Sequence, residues 1–133
     1  MFAGMKHKEK ILIVDDSLYH RSELKKLLLE NGYKVFESSD AIDGIQMMRK
    51  IHPDLVIMDI NMPIMEGVDA VKYMKKVDRN ALVIMFSSLD DEKSVMEAIK
   101  AGARDYVTKP LDKVKMLEAV ERLLKSFSIG RNT

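Results

Sequence analysis

The chain has 133 residues, of which 47% are hydrophobic and 32% charged, and its formal net charge is +1. This length suits one domain with an ordinary buried core, and the composition excludes disordered, collagen-like and coiled-coil proteins. The near balance of 22 basic and 21 acidic residues leaves no broad basic field, which argues against direct nucleic-acid binding.

The absence of cysteine leaves the redox compartment open, whereas the apolar runs and the N-terminus bear on membrane insertion and export. The sequence contains no cysteine, which excludes disulfides and thiolate metal sites. Its apolar runs are far shorter than the ~20 residues that a membrane-spanning helix needs, and the N-terminal segment MFAGMKHKEK lacks the apolar region of a signal peptide. We therefore expect a cytoplasmic protein without membrane insertion.

Apolar runs of strand length alternate with amphipathic stretches of helix length. In chain order, the predicted strands lie near 11–14, 34–37, 55–58, 82–86 and 105–108. The predicted helices lie near 18–30, 41–51, 67–76, 91–101 and 113–126. Ser17, Asp40 and Asp112 precede the first, second and fifth of them, and Asp90 and Asp91 put negative charge at the positive end of the fourth.

This strict alternation predicts the fold class. Strands that are apolar on both faces and separated by helices form a mainly parallel sheet, which right-handed crossovers cover with helices on both sides. We predict a doubly wound α/β sandwich. Residues 1–133 are expected to form a single domain with a core at about 9–127 and frayed ends at 1–8 and 128–133.

The last predicted helix has apolar residues on so broad an arc that its buried face is ambiguous. Its core stripe is predicted to contain Val114, Leu117, Val120 (or Glu121) and Leu124. A second apolar flank consists of Met116, Leu123 and Phe127. Either the helix is deeply covered, or the second flank is a docking surface.

Polar residues stand at the ends of four apolar runs. Asp15 and Asp16 follow the first strand, and Asp59 follows the third. Ser87 follows the fourth predicted strand, and Lys109 follows the fifth. Because the carboxyl ends of parallel strands meet at one edge of a sheet, we expect these side chains to share one crevice. Three carboxylates in one crevice repel one another unless a cation neutralises them, and an oxygen-only site suits Mg²⁺.

The same crevice suits the transfer of a phosphoryl group. Asp59 is the best candidate for a nucleophile because it stands alone at a strand end, where a phosphoryl donor can approach in line. Lys109 can neutralise one phosphoryl oxygen, and the Ser87 hydroxyl can donate a hydrogen bond to another. For Asp16 taken alone, the simpler interpretation that it caps the next helix stays open.

Four sequence motifs surround these residues: ILIVDDS, LVIMDINMPIMEG, MFSS and AGARDYVTKP. Over about residues 9–127, the chain resembles the receiver domain of two-component response regulators, a family that includes single-domain chemotaxis regulators. The resemblance implies a flavodoxin-like (βα)5 fold, in which five parallel strands take the order 2-1-3-4-5.

The resemblance also implies which residues form the phosphorylation and metal site. Asp59 matches the phosphoacceptor of the family. Asp15 and Asp16 match the acidic pair that holds Mg²⁺, for which Mn²⁺ is an alternative ion. Asp59 and the backbone carbonyl of Asn61 would complete the metal site.

Three further matches concern the switch that follows phosphorylation. Ser87 and Lys109 match the hydroxyl and the lysine that contact the phosphoryl group in the family. Tyr106 matches the aromatic residue that turns inward as the hydroxyl moves. An ordinary, partly buried strand aromatic remains an open alternative for Tyr106.

The implied function is a phosphorylation-switched signalling module. A sensor histidine kinase or a phosphotransfer protein would pass a phosphoryl group to Asp59. The chain would catalyse its own phosphorylation and dephosphorylation, without turnover of an external substrate. The altered face of helix 4, strand 5 and helix 5 would then control an output protein or domain, and dimerisation on phosphorylation is compatible with this scheme.

Two other classes of function were weighed against this one. A phosphatase or phosphotransferase of the haloacid-dehalogenase type also uses an aspartyl phosphate and Mg²⁺. Its nucleophile lies after the first strand in a DxD pattern, whereas this chain has Asp15-Asp16-Ser17 and no room for a cap domain. A scaffold that keeps the fold without the chemistry is the third class, and the complete acidic pocket argues against it.

Overall fold

The computed structural model describes residues 9–131, and the side chains of residues 9–126. Of the ends that the sequence predicts to be frayed, residues 1–8 and 132–133 lie outside the described residues. Residues 128–131 instead continue the last helix. Between residues 9 and 131, the chain forms no helix that combines the length and apolar character needed to cross a bilayer.

Strands and helices alternate throughout the described part of the chain, as predicted. The strands are β1 (Lys10–Val14), β2 (Lys34–Ser38), β3 (Leu55–Met58), β4 (Val83–Ser87) and β5 (Asp105–Thr108). The helices are α1 (Leu18–Glu30), α2 (Ala41–Ile51), α3 (Gly67–Val77), α4 (Glu92–Ala101) and α5 (Lys113–Arg131). The strands are parallel and lie in the order β2-β1-β3-β4-β5, which confirms the doubly wound sandwich.

The sheet separates two apolar cores because successive side chains of a strand point to opposite faces. Leu12 and Val14 of β1 belong to the core on the side of α2, α3 and α4. Ile11 and Ile13 belong to the core on the side of α1 and α5. Every residue of β3 and β4 is buried. The ends of these central strands are therefore fixed from both sides, and they provide a rigid base for the residues that follow them.

Side-chain caps begin most of the helices at the predicted residues. Ser17, Asp40 and Asp91 each accept a hydrogen bond from the backbone N–H three residues later. The third helix begins differently, because Glu66 makes no side-chain cap. Instead, the N–H of Gly67 donates a hydrogen bond of 2.7 Å to the Ile60 carbonyl oxygen, so α3 begins directly against the end of β3.

The predicted core stripe of α5 is wrong in part. Val114 is 67% exposed, whereas Met116 and Val120 are fully buried. Leu117 and Leu124 are only partly buried and border the core. The buried stripe consists of Met116, Ala119, Val120 and Leu123. Its spacing is equally helical, so only the fit of the helix against the sheet decides between the two faces.

Candidate functional site

The strand-end residues converge at the carboxyl edge of the sheet. Asp15 follows β1, and Asp59 follows β3. Ser87 is the last residue of β4, and Lys109 follows β5. Carboxylate oxygens of Asp15, Asp16 and Asp59 lie within 4.8 Å of one another. The five residues predicted to share a crevice therefore stand at one edge of the sheet, with the three carboxylates in a single cluster.

Lys109 reaches from the end of β5 to two of the carboxylates. Its Nζ lies 3.0 Å from Asp15 Oδ2 and 3.5 Å from Asp59 Oδ2. Its side chain is only 8% exposed, and Nζ lies 5.4 Å from the centroid of the Phe86 ring. One ammonium group therefore links the ends of β1, β3 and β5.

Hydrogen bonds fix the orientation of Asp15. Its Oδ1 accepts a hydrogen bond of 2.9 Å from the Ser17 N–H, while Oδ2 accepts from Lys109. Its backbone carbonyl accepts a hydrogen bond of 2.6 Å from Arg21 Nη1. Arg21 is in turn paired with Glu37 of β2 at 3.3 Å. Asp15 is thus held through both its side chain and its backbone.

Asp59 is held in a place that disfavours its ionised form. Its backbone N–H donates a hydrogen bond of 3.0 Å to the Val14 carbonyl, and the residue is 7% exposed. Burial raises the pKa of its carboxyl above the ordinary value, while Lys109 lowers that pKa and Asp15 raises it. Backbone N–H groups of the next two residues hydrogen-bond the carboxylate and also lower the pKa.

Asp16 and Asn61 lie on the solvent side of the site. Both residues are exposed, in contrast to the buried Asp15 and Asp59. The backbone N–H of Asn61 hydrogen-bonds the Asp59 carboxylate, which places its peptide beside the acidic cluster. The metal-binding role of the Asn61 carbonyl stays a prediction.

The donor atoms of this cluster fit a hard divalent cation. Carboxylate oxygens are the ligands that Mg²⁺ prefers, and the exposed Asp16 leaves the cluster open to solvent on one side. Lys109 supplies a single positive charge against the three carboxyl groups of the cluster. A divalent ion among these oxygens would favour the ionised carboxylates.

Ser87 and Tyr106 are connected through the loop that follows β4. The buried Ser87 Oγ accepts a hydrogen bond of 3.3 Å from the Leu89 N–H. The Tyr106 hydroxyl donates a hydrogen bond to the Leu89 carbonyl. Tyr106 is partly buried against the α2–α4 core, and burial raises its pKa while a hydrogen bond with Ser87 lowers it. The predicted switch residues therefore meet at the backbone of Leu89.

Sequence reasoning missed Arg21 and Gly67 as contributors to the site, and for Leu89 it missed the role of the backbone. Arg21 lies inside a helix rather than at a strand end. Its position in the sequence therefore gave no sign that it hydrogen-bonds the Asp15 carbonyl. Leu89 acts through backbone atoms, which every residue possesses. Gly67 is the first residue of α3, a helix whose N-cap residue makes no side-chain hydrogen bond. A glycine at the start of a predicted helix was the only signal for it.

Comparisons with known proteins agree with the geometry. Residues 11–121 match the family model described as response regulator receiver domain. The chain is 38% identical over 118 residues to chemotaxis protein CheY of Thermotoga maritima, covering 88% of this chain and 98% of that protein. It is 39% identical over 116 residues to CheY of Bacillus subtilis, covering 86% of this chain and 97% of that protein. The structure of a CheX-CheY-BeF3-Mg²⁺ complex from Borrelia burgdorferi has a TM-score of 0.83 at 30% identity, covering 86% of this chain and 88% of that chain.

Proposed function

This chain belongs to the response regulator receiver family, and from that premise we propose that it is a phosphorylation-switched module of two-component signalling in which Asp59 accepts the phosphoryl group. The proposed unit is a single receiver domain with its core at about 9–127, and the family match over 11–121 supports it. The cytoplasmic location inferred from the sequence stays a prediction.

The arrangement of Lys109 carries the proposal. Its Nζ lies within 3.5 Å of both Asp15 and Asp59, beside a cluster of three carboxylates. A structural ion pair needs one partner for one ammonium group, whereas this site has an excess of negative charge around a buried nucleophile. Such an excess is typical of a site that receives a metal ion and a phosphoryl group.

The reaction is a transfer between two covalent carriers. A carboxylate oxygen of Asp59 attacks phosphorus, a new P–O bond forms, and the P–N bond of a phosphohistidine donor breaks. The leaving imidazole keeps the electron pair of that bond and takes up a proton. Asp15, Asp16, Asp59 and the Asn61 carbonyl would hold Mg²⁺, which when bound balances the negative charge of the carboxylates and of the phosphoryl oxygens.

The residues around Asp59 would then bind the product and transmit its presence. The Lys109 ammonium, which lies 3.5 Å from Asp59 Oδ2 before phosphorylation, neutralises one phosphoryl oxygen afterwards. The Ser87 hydroxyl exchanges its bond with the Leu89 N–H for a bond to another oxygen. Because Leu89 also holds the Tyr106 hydroxyl, this exchange shifts the β4–α4 loop and the tyrosine together. The face of α4, β5 and α5 is the proposed output surface.

The upstream partner is proposed to be a histidine kinase or a phosphotransfer protein. Apart from the phosphodonor itself, no external substrate is turned over in this scheme, because the phosphoryl group stays on the chain until water removes it. A hydrolase that acts on free phosphate esters is the competing class. Measuring turnover of a generic phosphate ester separates the two, since the proposed module should show none.

Labelling with a small phosphodonor tests the proposed phosphoacceptor. Incubation with acetyl phosphate and Mg²⁺ should add one phosphoryl group, seen by intact mass, and Asp59→Asn should abolish the addition. Asp90→Asn, which removes an exposed carboxylate from the β4–α4 loop, is the matched control and should be labelled normally. Labelling that persists in Asp59→Asn would assign the phosphoryl group to another residue.

A further inference from the structure

Gly67, the first residue of α3, packs against the peptide that carries Asp59. A Cβ atom added to Gly67 would lie 2.2 Å from the Asp59 carbonyl oxygen and 2.8 Å from the Ile60 Cα. Real Cβ atoms essentially never approach another atom closer than 3.0 Å. The backbones of α3 and of the β3 end can therefore meet at this distance only because residue 67 has no side chain.

Neither partner in this contact has room to withdraw. Strand β3 is paired on one side with β1 and on the other with β4, and the Asp59 N–H is bonded to the Val14 carbonyl. Helix α3 is anchored in the core by Ala70, Val71 and Met74, all fully buried. To accommodate an added methyl group, its carbon and the Asp59 carbonyl oxygen must move apart by at least 0.8 Å, from 2.2 to 3.0 Å. That displacement falls on the Asp59–Ile60 peptide or on the first turn of α3.

The Asp59–Ile60 peptide is joined directly to the reacting group. The backbone N–H groups of Ile60 and Asn61 hydrogen-bond the Asp59 carboxylate. The same carboxylate lies 3.5 Å from Lys109. A displacement of roughly 1 Å in a reacting group can slow a reaction by about 100-fold, because in-line attack needs close alignment.

We propose that Gly67 is a positioning residue for phosphoryl transfer to Asp59. Its missing side chain lets α3 press on the Asp59–Ile60 peptide and hold the carboxylate in line with the donor. Gly67 acts through the backbone of its neighbours and contacts the phosphoryl group at no stage. The inference rests on the proposed function, because it needs Asp59 to be the phosphoacceptor.

The substitution Gly67→Ala tests this role through the kinetics of labelling. With acetyl phosphate and saturating Mg²⁺, we expect the rate at saturating donor to fall about 10- to 100-fold. The donor concentration at half-saturation should change little, because the donor still enters the same open crevice. In amide NMR spectra of the metal-free protein, the largest shifts should appear at Ile60 and Asn61.

Two control variants separate positioning from a general loss of stability. Gly44→Ala makes the same change in α2, where the added Cβ meets a side-chain carbon of Val14 at 2.9 Å. Lys72→Gly weakens α3 itself, at an exposed position that belongs neither to the core anchors of the helix nor to its contact with Asp59. Both variants should lose stability and still be labelled near the wild-type rate. If Gly67→Ala unfolds in plain buffer, all four proteins are compared in sucrose, which favours the folded state.

Each outcome has a definite meaning for the two proposals. A wild-type rate in folded Gly67→Ala would overturn the positioning role. An equal loss of rate in Lys72→Gly would also overturn it, because the stability of α3 would then account for the effect. Absence of labelling in the wild type would instead refute the proposed function itself.

Discussion

At Asp59, the protein keeps a carboxylate where burial raises its pKa above the ordinary value of 3.8. Lys109 and the neighbouring N–H groups lower the pKa, and the charge of Asp15 raises it further. Because the folded pKa is raised, the folded state binds this proton more readily than the unfolded chain. The resulting contribution to stability is present below pH 3.8 and is lost as the pH rises through the folded pKa.

This sign leads to an expectation for Asp59→Asn without metal. Asparagine is neutral at every pH, so the variant should gain stability relative to the wild type as the pH is raised from about 4 to about 7. Urea unfolding in the presence of a chelator measures the difference. If the wild type instead became more stable relative to Asp59→Asn as the pH rises, the raised pKa of Asp59 would be contradicted.

Lys109 offsets part of the repulsion within the acidic cluster. Three carboxylates in one crevice repel one another until a cation neutralises them. In the structure, Lys109 already bridges Asp15 and Asp59, and Asp15 also accepts the Ser17 N–H. Removing the charge of Asp15 would therefore break an ion pair as well as relieve repulsion, so Asp59 is the better place to test the effect.

Individual site residues were predictable where a polar residue interrupts an apolar run. Asp15 and Asp59 are visible in this way because each follows a buried strand, and Lys109 because it follows the partly buried strand β5. Ile64 shows the limit of such reasoning. It has a φ of 75°, and the N–H of the next residue donates to the Pro63 carbonyl. A β-branched residue gives no signal for this left-handed turn, which glycine or asparagine would favour.

At the scale of elements, the orientation of α5 depends on packing rather than on periodicity. Several of its apolar residues are spaced like a buried stripe, and two stripes compete for the sheet. The structure selects the one that contains Met116 and Val120, and it leaves Val114 exposed. The pattern of one helix cannot decide this, because the shape of the partner surface decides it.

A matched pair of truncations tests that orientation. Met116→Ala removes a fully buried side chain and should lower the free energy of unfolding by about 2 to 5 kcal/mol. Val114→Ala removes a side chain that is 67% exposed and should change stability by roughly 0.5 kcal/mol or less. Urea unfolding of both variants measures the contrast. If Val114→Ala lowered the free energy of unfolding more than Met116→Ala, the stripe predicted from the sequence would be the buried one.

Helix starts were predictable where a side chain makes the cap. Ser17 and Asp40 cap their helices as the sequence indicates, and Asp91, expected only to place negative charge at the start of α4, caps it as well. The start of α3 was not explained by a cap, because its first N–H is satisfied by the Ile60 carbonyl across a close backbone contact. Such a contact joins two elements, and local sequence patterns do not report it.

At the scale of the whole molecule, alternation of strands and helices predicted a parallel sheet but not the order of its strands. The order 2-1-3-4-5 came from the family resemblance, and the structure confirms it. That order places β1, β3 and β4 side by side in the centre. The ends of these buried strands therefore support the carboxylates and Ser87, while the lysine arrives from the edge strand β5.

The same order places the proposed output face next to the site. Ser87 ends β4 and is paired in register with Thr108 at the end of β5, two residues after Tyr106. The loop containing Leu89 connects both residues and leads into α4. A change at Ser87 therefore reaches α4 and β5 through one short loop. This proximity is the physical basis of the proposed switch.

Hydrogen exchange with and without acetyl phosphate and Mg²⁺ tests the central claim that phosphorylation at Asp59 changes this face through Ser87. In the wild type, we expect altered exchange across α4, β5 and α5. The free energy that couples phosphorylation of Asp59 to the state of this face should be about 1 to 3 kcal/mol. Ser87→Ala should be phosphorylated with little loss, yet its face should fail to respond. The account would be contradicted if the face responds equally in both proteins, or if it stays unchanged in phosphorylated wild type.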